Sequence, residues 1–435
     1  MAKIKGEGML LYNQINSNEI GETKLKKYDL ILLCLCIVDT LFFPYIKFIS
    51  ASISMILLPI WFIFNFTRLN LSKRNTIILT AMIFMILSFL ISTVTVPSFA
   101  PGLGGVLINV ISTNLKNLVI ILYGLLYCVF YEFIFNKCNV SLKKVLTLYI
   151  IFVFLLSLIY IINPQLYFNV RAFWTMGGNA IIITDSLSIF RYTGTFSDPN
   201  NIATAIVGVF AFLWFNEKTS AFLKVFSLIT TTIILVSTMS NTGIICFAIV
   251  GFCIIVNMSK EGMLFLFKNK KINLSTFWMF FFLCLSLPLL IYGGKLLSNN
   301  EIFEIAFNRI ESNSGESRFT IWMDLIQKNN FLKYLIIGQG GTIINDGRVR
   351  APHNGHFFMF LGYGFIAYVT FLISLFKFDI SRIKKYVFLI PFFIGFTLNV
   401  GIYEPRYINL LVLLIAANNV VEQREQKQKE NNFGI

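Results

Sequence analysis

His353 and His356 are the chain's only two histidines, and they close the run Arg348-Val-Arg-Ala-Pro-His-Asn-Gly-His, which leads straight into an apolar segment. Imidazole is the one unperturbed side chain that titrates near neutrality. Beside Arg348 and Arg350 its charged form is disfavoured by like charge, which leaves a neutral ring able to accept a proton. The planar guanidinium forks suit the oxygens of a pyrophosphate. The combination suggests a base, His353 or His356, beside an anion site. Zinc is the rival reading of two histidines at this spacing, but no cysteine is near. The closest acid, Asp346, sits among arginines that repel a dication. A histidine that simply satisfies its own hydrogen bonds is the plainer alternative.

A second constellation is Arg191-Tyr-Thr-Gly-Thr-Phe-Ser-Asp-Pro-Asn-Asn. Gly194 permits a turn, and Pro199 can open a helix whose first N–H groups, around Asn200, favour an anion. Arg191 can fold over the same place; the alternative is a structured turn with an interfacial arginine. Further on, Ser317-Arg-Phe-Thr-Ile-Trp-Met-Asp-Leu-Ile-Gln-Lys reads as an amphipathic helix on the membrane surface, with Phe319, Trp322, Leu325 and Ile326 on one face. Ser317 caps it. Arg318 then stands at the end that disfavours a cation unless an anion binds there, or it snorkels to water. Gly338-Gln-Gly-Gly is too short for a phosphate loop of the Walker type and reads as a turn. Glu404-Pro-Arg406 either forms a salt bridge or pairs with the histidine loop. The polar turn 237–243 can face the same cavity.

These groups must be positioned by an apolar chain. Of 435 residues, 56% are hydrophobic and 16% aromatic, while 13% are charged, about half the roughly 25% of a soluble domain. At roughly 20 residues per span, that apolar content supplies about a dozen transmembrane helices. A cytosolic enzyme, a secreted disulfide scaffold and a disordered chain are excluded. Long unbroken runs count against an outer-membrane barrel. The net charge of +15 does not indicate nucleic acid, because Lys and Arg cluster between apolar runs and form no stripe with interleaved aromatics. The seven cysteines lack the paired spacing of a zinc or redox motif and read as core packing. The polar first 28 residues carry five lysines, so the first span, not a cleavable signal, is expected to anchor the chain.

Apolar runs fall at about 30–47, 49–66, 76–96, 114–135, 145–162, 200–215, 224–239, 242–257, 274–292, 356–376, 386–402 and 406–421. An even number puts both termini on one side. The segments 1–29, 67–75, 136–144, 216–223, 258–273, 377–385 and 422–435, with the flanking Lys224, hold 24 of the 36 Lys and Arg, and the positive-inside rule makes them cytoplasmic. The expected architecture is all-α, a single membrane domain over 1–435. Outer loops lie at 163–199 and 293–355, and a cytoplasmic tail lies at 422–435. The weakest join, at Tyr45 to Lys47, leaves a re-entrant hairpin open. Asp39, Lys116 and Glu132 are the scarce charges within spans, fewer than a proton-coupled carrier is expected to show.

On the motifs from Arg191 to Asn200, Ser317-Arg318 with its helix, Gly338-Gln-Gly340, and His353-Asn354 opening a span that continues to Gly362-Tyr-Gly364, the chain resembles the O-antigen polymerase/ligase family of bacterial inner-membrane glycosyltransferases. The motifs cover roughly residues 190–376. The resemblance implies a GT-C-like fold of about twelve helices whose periplasmic loops carry short amphipathic helices and cap a cavity at the outer leaflet. It implies transfer of a glycan from undecaprenyl pyrophosphate to an acceptor hydroxyl, with no metal or other cofactor. His353 is then the general base, and Arg191 and Arg318 hold the donor pyrophosphate; Arg350 is added from proximity. His356, Asn354, Asn200, Arg348, Glu404 and Arg406 are supporting candidates. The implied partners are undecaprenyl-pyrophosphate-linked oligosaccharides, membrane lipids and a chain-length regulator protein. One departure is the turn after the seventh span, where many members, ligases especially, carry an arginine and this chain has Ser240-Asn241-Thr242. That departure, with the Ile-, Asn-, Lys- and Phe-rich character, favours a polymerase over a ligase acting on lipid A core. A lipid-linked oligosaccharide flippase is the alternative of another class.

Overall fold

A computed structural model describes residues 25–42, 52–69, 73–102, 105–138, 142–171, 181–184, 187–216, 219–266, 321–325, 337–350, 353–375, 386–398 and 404–418. The helices are α1 (Lys27–Leu41), α2 (Ile53–Asn65), α3 (Lys73–Thr95), α4 (Val110–Lys137), α5 (Leu142–Ile162), α6 (Pro164–Arg171), α7 (Pro199–Phe215), α8 (Ala221–Thr238) and α9 (Asn241–Leu266). After a helical turn at 321–325 come α10 (Gly355–Tyr363), α11 (Phe365–Leu375), α12 (Leu389–Leu398) and α13 (Pro405–Asn418). Every expected apolar run except 274–292, which lies outside the described residues, overlaps one of these helices, or two in the case of 356–376.

Four helices among the described residues are long and apolar enough to cross a membrane: Asn75–Thr95, Val110–Lys137, Leu142–Ile162 and Ala221–Thr238. Their burial sorts them radially. In α4, 72% of the most apolar window is inside the protein, against 28% in α3, and α3 and α5 turn Val94, Leu90, Leu155 and Ile162 outward. Apolar side chains facing outward in such number mark a lipid-facing surface. At the centre, α7 and α13 are buried nearly all round, from Ile202 to Ala211 and from Tyr407 to Ala416, as helices apolar on every face must be. Around them α8, α9 and α12 pack on α7, while α3 packs on α4 and α11. The chain is a largely helical membrane protein.

Local signals set the helix ends. Asn109, Asp198, Ser220 and Asn354 each cap a helix by accepting a backbone N–H. Pro199 occupies the first turn of α7, where its missing N–H costs nothing. The tenth apolar run is not one helix: Gly364, at φ 89°, separates α10 from α11, a backbone conformation that a side chain would strain.

Three short antiparallel hairpins join the helices of this mostly helical chain. β1 (Phe99–Pro101) pairs with β2 (Leu107–Asn109), β3 (Ile181–Thr184) with β4 (Leu187–Phe190), and β5 (Ile343–Asn345) with β6 (Arg348–Arg350). The last has register Ile344 opposite Val349 and turns through Asp346 and Gly347, both at positive φ. That is the backbone of the two-residue hairpin turn which Asp-Gly favours. β6 lies beside β1, and β5 beside α10. All three hairpins therefore stand at one end of the bundle, where α3, α5, α8 and α12 finish and α4, α7, α10 and α13 begin.

Candidate functional site

Arg191 follows β4 directly. Its Nε donates to the Thr238 carbonyl at 2.8 Å and its Nη2 to that of Met239 at 3.2 Å, so the guanidinium caps the C-terminus of α8, where a cation is favoured. The Tyr192 N–H donates to the Ser237 carbonyl at 3.1 Å. From the other end of the loop, the Asn200 Oδ1 accepts from Ser240 Oγ at 2.7 Å. The segments 191–200 and 237–243 are thus laced together. The turn at Ser240-Asn241-Thr242 carries no arginine of its own, and a guanidinium reaches its leading edge from Arg191.

The open helix N-terminus expected at Pro199 is corrected by the structure. Asp198 Oδ1 accepts from Asn200 N at 2.7 Å, so the chain's own carboxylate takes the place proposed for an external anion, and Arg191 is directed to the end of α8.

Glu404 and Arg406, at the start of α13, are both buried and bind the 191–200 loop. The Glu404 Oε2 accepts from the backbone N–H of Ser197 at 3.1 Å and from its hydroxyl, while Arg406 Nη1 donates to the Thr195 carbonyl. Neither was placed with this loop by the alternatives drawn from sequence. A third cation joins them: Arg171, the last residue of α6, donates from Nε to Thr193 Oγ1 at 2.6 Å and from Nη2 to the Ser197 carbonyl at 3.1 Å. Tyr167, one helical turn earlier, accepts from Thr193 N at 2.9 Å. Burial raises the Glu404 carboxyl, opposed by its Ser197 bonds and the Arg406 charge. Burial likewise lowers Arg171, opposed by the charges of Tyr167, Asp198 and Glu404. Arg171, Arg191 and Arg406 thus converge on one ten-residue loop with Asp198 and Glu404 as its acids, three guanidinium groups to two carboxylates.

The histidine loop stands at the same end. Asn354 is the cap of α10, its Oδ1 accepting from Phe357 N at 3.0 Å. Before it, His353 is exposed in the left-handed region at φ 48°. His356 is held between two hydroxyls: Nδ1 lies 3.1 Å from that of Tyr368 and Nε2 3.1 Å from that of Thr397. Its ring is also 4.8 Å from Phe393. The structure therefore distinguishes the two histidines, giving His356 a structural position and leaving His353 at the surface. Arg348 and Arg350 are exposed on β6. Arg318 lies outside the described residues; the turn at 321–325 in the same stretch is helical, with Trp322 6.1 Å from Phe357 and Asp324 accepting from Asn345 at 3.3 Å.

Gly338-Gln-Gly-Gly is more than a turn. The N–H groups of Gln339, Gly340 and Gly341 donate to the carbonyls of Leu361 and Gly362 at 2.7 to 3.1 Å, beside the break between α10 and α11. Asn114 and Asn117 of α4 hold the Gln339 and Gly341 carbonyls at 3.0 Å each. Irregular backbone of this kind persists in a membrane protein when its polar groups are satisfied inside it.

An aromatic path joins the two halves: His356 to Phe396 at 6.4 Å, Phe396 to Tyr407 at 5.7 Å and Tyr407 to Phe196 of the first loop at 6.4 Å. Among the described residues no three His, Cys, Asp or Glu side chains gather where a metal ion could be held. The residues that sequence reasoning passed over are Arg171 and Tyr167. Their signal was a cation in a segment expected on the outer side, at the end of Pro164-Gln-Leu-Tyr-Phe-Asn-Val-Arg. No protein-family model, curated protein or solved structure matches the chain.

Proposed function

We propose that the chain is an O-antigen polymerase. It transfers a glycan from undecaprenyl pyrophosphate to a sugar hydroxyl on a second carrier-linked repeat unit at the periplasmic face of a bacterial inner membrane. The observation that carries this reading is the buried set Arg171, Arg191 and Arg406 around the 191–200 loop, at the same end of the bundle as the exposed His353. Basic residues expected on the outer side run against the orientation rule, and an anionic substrate gives the exposed pair, Arg348 and Arg350, a purpose. In this reading the chain crosses the membrane twelve times in a GT-C-like arrangement, and both termini are cytoplasmic.

The acceptor hydroxyl oxygen attacks the anomeric carbon, its proton passes to the neutral imidazole of His353, and the carbon–oxygen bond to the pyrophosphate breaks with its electron pair on the leaving oxygen. Attack by a single nucleophile inverts that carbon. The leaving group is already good, so the protein aligns two lipid-held substrates and stabilises the growing negative charge. The exposed Arg348 and Arg350, with Arg318 as the resemblance implies, complete the pyrophosphate site, with Asn200, Asn354, Glu404 and Arg406 shaping it. Deleting the gene tests the assignment. A polymerase mutant leaves a single repeat on the lipid A core, whereas bare core with polymer held on the carrier contradicts a polymerase and indicates a ligase.

A further inference from the structure

At the opposite end of the molecule, α1 and α2 form an antiparallel pair whose outward face encloses a groove of about 400 Å³, within the range of small-molecule sites. Its walls are apolar: Ile31 and Leu35 on one side, Leu57, Ile60 and Phe64 on the other. Ile31 and Phe64 are 53% and 79% exposed, so the groove opens toward lipid. From Tyr28 to Leu35 it runs about 10 Å along α1.

Only one end of the groove is polar. There the Tyr28 hydroxyl donates to Asn65 Oδ1 at 2.8 Å, and Arg68 Nη1 donates to the same tyrosine oxygen at 3.1 Å. Lys26 Nζ lies 5.5 Å and the Arg68 guanidinium carbon 5.9 Å from the centre of the Tyr28 ring. Lys27 is exposed beside them, and among the described residues the nearest acid, Asp29, is buried and paired with Arg68 at 2.8 Å. Among the described residues, three cations against one acid leave that end net positive, in a segment whose charge marks the cytoplasmic side.

We propose that this groove is a binding site for one anionic phospholipid of the cytoplasmic leaflet, with an acyl chain between α1 and α2 and the phosphate at Lys26, Lys27 and Arg68. The geometry matches the chemistry: an apolar slot long enough for part of an acyl chain, closed at the headgroup level by basic side chains, as in other cytoplasmic-side lipid sites between helices. The site is separate from the transfer chemistry and stands or falls without it.

Native mass spectrometry of the purified full chain tests it, with dioleoyl phosphatidylglycerol and dioleoyl phosphatidylcholine titrated in parallel. Wild type is expected to retain one phosphatidylglycerol in preference to phosphatidylcholine. Leu57→Trp fills the groove and displaces at least two methylenes, which weakens the adduct about tenfold; Ile31→Trp does the same from the facing wall. Lys26→Ala with Lys27→Ala loses the preference for the anionic lipid while some acyl binding persists. Phosphatidylglycerol with a photoreactive acyl chain should mark peptides containing Leu57 or Ile60. Equal retention of the two lipids by wild type, retention unchanged in both tryptophan variants, or cross-links confined to other helices overturns the proposal.

Discussion

His353 and His356 are three positions apart and do different work because one precedes a helix cap and the other follows it. Asn354 spends its side chain on α10, which leaves His353 outside the helix in a left-handed turn and carries His356 round to the hydroxyls of Tyr368 and Thr397. Local spacing placed both at a helix mouth; the partners of His356 are 12 and 41 residues away and no local rule reaches them. The same limit hid the roles of Glu404 and Arg406, whose loop is 207 and 211 residues distant. Glu404 yields a test at this scale. Its folded carboxyl is raised above the ordinary 4.5 by burial, so ionising it costs stability. The increment is fully present below that value and is lost as pH rises through the ordinary and then the folded pKa. Glu404→Gln keeps an acceptor for Ser197 and removes the titration. As pH rises from about 4 the wild-type Tm in detergent should fall relative to the variant's; parallel curves contradict the account of Glu404.

Among the elements, the helices were the legible part, because each needs only a long apolar run and a cap. The hairpins were not legible from run length: their strands have three or four residues, too few for an alternation to register. Asp346-Gly347 was nevertheless a strong turn signal, read only as the nearest acid to a histidine pair. The division of the tenth run at Gly364 was equally hidden, because its cause is the insertion of Gly338-Gln-Gly-Gly from elsewhere in the chain. Substitutions at two glycines separate packing from strain. A Cβ on Gly338 would lie 2.3 Å from the main chain of Gly362 and Tyr363, which cannot move aside, so Gly338→Ala should cost several times more stability than Gly347→Ala. Gly347 has open space around it and φ 71°, and the strain of a side chain there costs about 1 to 3 kcal/mol. Thermal unfolding followed by fluorescence-detected size exclusion gives the comparison; equal losses would mean the glycine loop does not clamp the break.

For the whole molecule, orientation and chemistry are linked through charge. The basic segments between apolar runs set the expected topology, and the cations that depart from it are Arg171, Arg191 and Arg406 on one loop and the exposed Arg348 and Arg350 on the β5–β6 hairpin. That topology predicts that Asp346→Cys, at the exposed tip of the β5–β6 hairpin, reacts with a membrane-impermeant maleimide added to intact cells. Arg424→Cys should react only after permeabilisation; the reverse pattern inverts the whole account. The central claim, that His353 is the base for joining lipid-linked glycans, is tested most directly with purified protein in detergent and undecaprenyl-pyrophosphate-linked repeat units, read as a chain-length ladder. The account predicts a ladder from wild type, a ladder from His356→Ala in proportion to the folded protein recovered, and none from folded His353→Ala. A wild-type ladder from His353→Ala, or no ladder from wild type, contradicts it.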